Sequence, residues 1–356
     1  MKAVFRPYHP HRDEAPVSAF LEQTYLPTRP LYNWLRPRWE YMVYAINGGP
    51  QENLSSFGLW HVGSQVVGMA HFESGPGEAF IQVHPEHTYL KAEMLDYTER
   101  NLCTTDAEIK KLALWINAAD HDLEKLALAA GFVKDINSPD VTTQLDIEGP
   151  LAAVSLPAGF RLTDRAENND LHQINRVLWR GFNHEGLAPE QYVAGRADVE
   201  KAPLYRPELT VMVQAPDGHL ISYCGIWYVP ANRIAYVEPV ATDPDYRRRG
   251  LASAAVLEAI RRASLLGATQ AIVGSGIEFY RVLGFRPIST CFPWHKWFGL
   301  CDVGCKIFQQ VIPSVGSPPK MKTEPRTSSG QASASSGPQY SERLILQVSS
   351  NPIHNP

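Results

Sequence analysis

The sequence predicts an α/β protein, in the α+β mixed-sheet sense, built as two tandem domains and a disordered C-terminal tail. Each domain is expected to be a mostly antiparallel sheet with one parallel strand–helix–strand crossover and flanking helices. Three observations predict this. The chain has 356 residues, 44% of them hydrophobic, which exceeds one typical domain and supplies material for two cores. One order of elements occurs twice along it. And the stretch from Pro313 to Tyr340 is rich in Ser, Pro and Gly and nearly free of large apolar residues, so it cannot bury enough surface to offset chain entropy.

The repeated order is easiest to follow in the second half. "ELTVMVQ" (Glu208 to Gln214) is rich in β-formers, "APDG" is a turn, "HLISYCGIWYV" is a second strand, "PAN" another turn, and "RIAYVEPVAT" a third strand. A helix follows from about Gly250. Ala252, Val256, Ile260, Ala263 and Gly267 share one face of it, and Glu258, Arg261 and Arg262 fall on the other. "TQAIVG" (Thr269 to Gly274) has the character of a buried strand, and "EFYRVLGF" (Glu278 to Phe285) that of a short helix ending near Gly284.

In the first half, "FGLWH", "QVVGMAHFE" and "EAFIQV" form the same three-stranded meander, ending at Val83. "PEHTYLKAEMLDYTERNL" is helical in pattern, "KLALWIN" is a strand, and "DHDLEKLALAAGF" is a helix with the same Gly-Phe ending. The two Gly-Phe pairs, Gly131-Phe132 and Gly284-Phe285, stand 153 positions apart (285 − 132), a period that means related domains and not a solenoid. Gly and Pro cluster between Asp146 and Gly159, which sets the expected division at residues 1–150, 155–312 and a tail over 313–356.

Charge and cysteine usage remove several function classes. The formal net charge of -4 argues against nucleic-acid binding through bulk charge, so no nucleic-acid partner is expected. No apolar run approaches the roughly 18 residues of a membrane span, and "MKAVFRPYHPHRDEAP" lacks the apolar centre of a signal peptide; no membrane partner and a cytoplasmic location are expected. Cys103, Cys224, Cys291, Cys301 and Cys305 are odd in number and irregular in spacing, a poor disulfide framework. Cys301 and Cys305 with nearby His295 do not follow a common zinc spacing, and no metal is expected. Oligomeric state is not legible.

The stretch "DPDYRRRGLASAAVLEAI", from Asp243, places three arginines and a glycine at the start of the long helix. A strand leading through a turn into a helix N-terminus presents N–H groups without intrahelical partners, and these, with the helix dipole, favour a phosphate. Gly250 has no Cβ and Ala252 a small side chain, so a ligand can approach, while Arg247, Arg248 and Arg249 can add charge-assisted bonds at the rim. Upstream, Pro239 interrupts the strand "AYVEPVAT". Proline cannot donate to a ladder, so it marks a bulge that splays this strand from its parallel partner and leaves Val240 and Thr242 free for an extended, amide-bearing ligand.

Val240-Ala241-Thr242, then "RRRGLA" fitting Arg/Gln-x-x-Gly-x-Gly/Ala, then "FYRVLGF", resembles the GCN5-related N-acetyltransferase (GNAT) superfamily over roughly Phe160 to Pro287. The resemblance implies acetyl-CoA or another acyl-CoA as co-substrate and transfer of its acyl group to an amine, either a small molecule or a peptide. Carried over by position, the acyl-CoA site takes in Val240, Ala241, Thr242, Arg247, Arg248, Arg249, Gly250, Leu251, Ala252 and Ser253, with Tyr280 near the thioester sulfur. Acyl transfer to an amine needs a neutral nucleophile, a polarised carbonyl and a proton for the departing thiolate. Tyr280 is the candidate acid and Glu238 the candidate base, with a backbone amide near Val240 as oxyanion donor; ring packing and an arginine ion pair are the plain alternatives for the two side chains. His184 and Glu185 in "GFNHEG" can touch an acceptor or simply polarise a loop, and Trp294, His295 and Trp297 form a further aromatic group, core or rim.

The first half departs from the pattern. Aligned on Pro85 and Pro244, Lys91 stands at the glycine position and Glu93 at the small residue, and no tyrosine stands where Tyr280 does. It resembles a degenerate GNAT-like domain with a structural or substrate-shaping role. Two other functions use the same residues differently: a non-catalytic acyl-CoA sensor or scaffold, and a nucleic-acid module built on the arginine run.

Overall fold

Two meanders run together into one mixed fourteen-stranded sheet in a computed structural model that describes residues 2–28, 30–51, 54–149, 151 and 154–299. The tail expected from Pro313, with Cys301 and Cys305, lies outside the described residues.

The first half contributes β1 (Val4–Pro7), α1 (Pro10–Thr24), and α2 (Arg36–Glu40), which widens into a π-helical turn at Tyr41–Ile46. The meander β2 (Gly58–Val62), β3 (Gln65–His71) and β4 (Glu78–Val83) follows. A 3₁₀ turn at Pro85–Leu90 then leads into α3 (Lys91–Asn101), β5 (Thr104–Asp106), β6 (Ile109–Asn117), α4 (His121–Ala129), β7 (Val133–Lys134) and β8 (Asp140–Asp146). The second half contributes β9 (Arg161–Asp164), α5 (Leu171–Gly181), α6 (Gln191–Asp198), β10 (Thr210–Gln214), β11 (Leu220–Val229), β12 (Ile234–Thr242), α7 (Leu251–Leu265), β13 (Gln270–Val273), α8 (Glu278–Val282) and β14 (Arg286–Phe298).

The halves repeat one pairing scheme. β3 and β4 are antiparallel and β4 pairs in parallel with β6; β11 and β12 are antiparallel and β12 pairs in parallel with β13. This is the mixed-sheet, tandem arrangement the sequence predicts. The two sheets are joined because each half gives its last strand to the other. β8 of the first half pairs with β13 of the second, and β14 of the second half pairs with β6 of the first while also flanking β8.

All ten residues of β11 are buried, as suits a central strand covered on both faces. Helix α7 lies over one face through Leu251, Ala254, Ala255, Val256, Ala259, Ile260 and Ala263, small and branched side chains that allow close helix–sheet approach, and it packs on β10, β11 and β12. Helix α5 covers the other face through Ile174, Val177 and Leu178, and its N-cap Asp170 accepts from the His172 and Gln173 amides. The largest core belongs to the first half but also takes Trp227, Tyr236, Ile272 and Trp294 from the second, so apolar burial continues across the join.

The predicted helix from Pro85 is divided. His87 has φ −121° and ψ 25°, so a 3₁₀ turn precedes α3. No helix among the described residues is long and apolar enough to cross a membrane.

Candidate active site

β12 and β13 pair only at Ile234, Ala235 and Tyr236, and then part. On its other edge β12 carries the expected bulge. Ile226 faces Val237 and Cys224 faces Val240, so the Glu238-Pro239 step is one residue longer than the strand opposite. Gly225 lies against it, and a Cβ there would stand 2.5 Å from the Glu238 carbonyl oxygen. That oxygen accepts from Trp227 Nε1 at 2.8 Å. The bulge is therefore held by a glycine beneath it and an indole beside it, and the splay leaves the C-terminal end of β12 open on its β13 side.

The strand runs directly into the arginine-glycine turn. Asp243 accepts from the Asp245 amide and begins a 3₁₀ turn at Pro244–Tyr246; Arg248 has φ 63° and Gly250 φ 78° before α7 starts. The left-handed step at Gly250 is one that residues with a Cβ resist, and apart from its chain neighbours and its own helix no described atom lies within 4 Å of where its Cβ would be, so the turn faces open space. Ala254 N–H is bonded to Gly250 O at 3.0 Å, while the amides of the first turn have no intrahelical acceptor. The three arginines differ in use. Arg247 donates to the carbonyls of Thr242 (3.2 Å) and Gly181 (2.8 Å), tying the turn to the end of α5. Arg249 lies over the Tyr246 ring at 5.3 Å, and Arg248 is exposed.

Helix α5 holds the turn from below. Arg180 donates to both carboxylate oxygens of the fully buried Asp243, Arg176 approaches the same carboxylate at 3.1 Å, and Arg180 also reaches Asp245 at 2.6 Å. Burial pushes the Asp243 carboxyl up, but the Arg180 hydrogen bonds and charge hold it below the usual carboxylate range. Gly181 lies over the Ala241–Thr242 peptide, where a Cβ would be 2.7 Å from the Ala241 Cβ. None of these supports was visible in the sequence. Asp243 and its partner Arg180 are 63 positions apart.

Tyr280 sits on α8, 6% exposed, edge-on to Phe279 and Phe285. Burial, then the nearby Cys224 and Glu238, push its phenol well above the ordinary value, so it holds its proton. Glu238 is partly exposed and its carboxyl is pushed up to about 7, first by burial and then by the charge of Glu73; Arg38 and a hydrogen bond from Tyr236 act the other way. The fold thus brings Tyr280 and Glu238 within electrostatic reach of each other, on α8 and on the bulge.

The first half closes this centre. Arg38 of α2 grips Glu73 through two bonds of 2.9 and 2.8 Å and reaches Asp140 at 3.4 Å. Tyr41, in the π-helical turn, packs edge-on to Trp227 at 6.0 Å, and its phenol is pushed up by burial and by Glu238. Glu40 accepts from Leu204 N at 2.8 Å and so pins that turn to the second half. Sequence reasoning missed these residues, because nothing in a local pattern links α2 to a bulge two hundred residues on.

The remaining sequence candidates lie apart. Trp179 stacks on His184 at 4.2 Å and donates to Glu185 O, which positions the loop after α5. Trp294 is core, whereas Trp297 is exposed and stacks with His295; all three are on β14, against β6. Among the described residues no group of three or more His, Cys, Asp or Glu side chains is arranged to hold a metal ion.

A splayed parallel pair, a glycine-initiated helix start at its mouth, and a carboxyl and a phenol beside it make up the candidate site. Residues 171–285, from α5 through Phe285, match the model of the acetyltransferase (GNAT) family. Among solved structures, the chain is similar to a GCN5-related N-acetyltransferase from Sphaerobacter thermophilus (14% identity, TM-score 0.55, covering 83% of this chain and 95% of that one). It is similar also to a tandem GNAT protein from the clavulanic acid biosynthesis pathway (14%, TM-score 0.53, 83% and 98%). A third is a GNAT-family acetyltransferase from Colwellia psychrerythraea (11%, TM-score 0.50, 83% and 99%). At such identities the likeness is one of fold. No curated protein matches the sequence.

Proposed function

We propose that the protein is an acyl-CoA-dependent N-acyltransferase, with acetyl-CoA as the co-substrate and a small-molecule or peptide amine as acceptor. The observation that carries this reading is the continuity of the β12–β13 splay with the cradle before α7, with Glu238 and Tyr280 both beside the splay. The backbone of Val240 to Thr242 suits an extended chain of amides, and the first-turn amides, from Arg248 to Ser253, suit a pyrophosphate. The family match over 171–285 supports the same use.

In this reading the amine nitrogen attacks the thioester carbonyl, a C–N bond forms and the C–S bond breaks. Glu238 takes the proton that the nitrogen loses, directly or through water, and Tyr280 gives its proton to the sulfur. A carboxyl near 7 is half ionised at neutral pH, which matches a base to its task. Tyr41, Trp227 and the Arg38–Glu73 pair supply an aromatic and charged wall on the acceptor side, so the first half shapes the acceptor site of the second.

Calorimetry with acetyl-CoA, followed by an amine screen with free-thiol detection, tests the proposal; no binding at millimolar acetyl-CoA overturns it. A second reading, a non-catalytic acyl-CoA sensor, is favoured by one observation, the depth at which Tyr280 is packed. It predicts binding with only slow thioester hydrolysis across the amine screen.

A further inference from the structure

The first half has a splay of its own. β4 and β6 pair in parallel at Glu78, Ala79 and Phe80 and then part, as β12 and β13 do after Tyr236. Counted from the last parallel pair, and leaving out the bulged residue of β12, Val83 stands where Val240 stands.

This gap is filled by the chain itself. The Asn33 carboxamide donates to Val83 O at 3.0 Å and accepts from Val83 N at 3.0 Å, taking both backbone groups of that residue. Trp34 N donates to the Gln82 side chain at 2.7 Å. On the opposite strand, Asn117 Nδ2 donates to Leu31 O at 2.6 Å. The segment from Leu31 to Trp34 is therefore bonded to β4 and to β6. A carboxamide has the planar shape and the donor–acceptor pair of a peptide group. No described side chain meets the Val240 backbone in this way.

The helix start beyond it is also closed to a phosphate. Lys91, at the glycine position of the second half, is buried and ion-paired with Asp120 at 2.6 Å, and Asp120 accepts from Leu123 N to cap α4. The cavity of about 360 Å³ left between these groups includes Asn33, Val83, Lys91, Asp120 and Asp122 in its lining. Two carboxylates there oppose one ammonium, a poor field for a pyrophosphate.

We propose that Leu31–Trp34 is a built-in plug that occupies the acyl-CoA cleft of the first half, Asn33 standing in for an amide of the ligand, so that one chain binds one acyl-CoA. The inference rests on the proposed use of the second half. Calorimetry of the full chain with acetyl-CoA is expected to give one equivalent, and none for Gly250→Glu. Two equivalents, or one that persists in Gly250→Glu, overturn the plug while leaving acyl-CoA binding intact. If the wild type binds none, the parent reading fails and hydrogen exchange decides the plug independently. The Val83 amide should exchange at least about tenfold faster in Asn33→Leu than in the wild type, the scale of one lost hydrogen bond, while the Ala70 amide in β3 keeps its protection. Unchanged exchange at Val83 overturns the plug.

Discussion

Arg180 grips Asp243 through two parallel donors, Nε at 2.7 Å and Nη2 at 2.9 Å, and this bidentate pair fixes the turn that precedes the cradle. Asp243 is buried but Arg180 is about one third exposed, and Arg176 remains as a partial substitute, so removing Arg180 should cost about 1–3 kcal/mol, the scale of a buried charged group losing a hydrogen-bond partner. Arg180→Ala should weaken acetyl-CoA binding by about tenfold or more, equivalent to about 1.4 kcal/mol, because the turn loses its preset shape. The chemical step in single turnover at saturating ligand should change little. An unchanged dissociation constant would remove Arg180 from the cradle's support.

The two halves differ in what a substitution at the helix start does. Gly250→Glu places a Cβ at φ 78° and a carboxylate at the proposed phosphate position, and should abolish acetyl-CoA binding. Lys91→Ala leaves Asp120 without its ammonium and should lower stability by about 1–3 kcal/mol with acetyl-CoA affinity nearly unchanged. Comparable affinity losses for the two variants, measured on folded protein, would mean that the first half holds the ligand.

Glu238, with its carboxyl at about 7, sets the acid limb of the pH profile if it is the base. The base works only when ionised, so kcat/KM should fall about tenfold per pH unit below that value. Glu73→Gln removes a like charge and should move the limb to lower pH. Stability responds in the opposite direction. A carboxyl raised on folding holds its proton more tightly in the folded state, so ionising it costs folded-state stability as pH rises from the ordinary value of 4.5 to about 7. Over that window Glu238→Gln should gain on the wild type by up to about 3 kcal/mol, with no further gain above. A pH-independent difference between the two unfolding curves would show that Glu238 titrates normally.

Tyr280→Phe removes one hydroxyl and keeps the ring that packs on Phe279 and Phe285. Acetyl-CoA affinity should persist. If the hydroxyl protonates the departing sulfur, the single-turnover rate of thiol release should drop by about 10²- to 10⁴-fold. A rate within about threefold of the wild type would assign that proton to water.

The second half was legible in the sequence because its signals are local. Strands β10 to β13, helices α7 and α8, the bulge at Pro239 and the turn at Gly250 each announce themselves within ten residues or so. What was missed is tertiary. Arg180 and Asp243 are each unremarkable until α5 is laid on the sheet, and Arg38, Tyr41 and Glu73 reach the centre only because the first half folds against the bulge. β14 escaped for a different reason. Pro287 and Pro293 stand in it and argue against a strand, yet the register shifts at Pro287, and Pro293 sits opposite Trp115 with its carbonyl accepting from the Asp135 amide. The Asn33 plug is illegible for the same reason as the Arg180 pair, its acceptor lying 50 positions away.

The exchange of β8 and β14 constrains how the chain can be made. Asn117 of β6 bonds the Ser289 side chain at 2.7 Å, 172 positions later. As the polypeptide leaves the ribosome, the first half has its meander and helices long before the strand that completes its sheet exists. β6 must wait with an unpaired edge until β14 emerges. Cut between the halves, each piece would carry a strand that belongs to the other and lack one of its own, so the two fragments should be poorly soluble apart and should recover a native sheet on mixing, behaving as complementary parts of one folding unit.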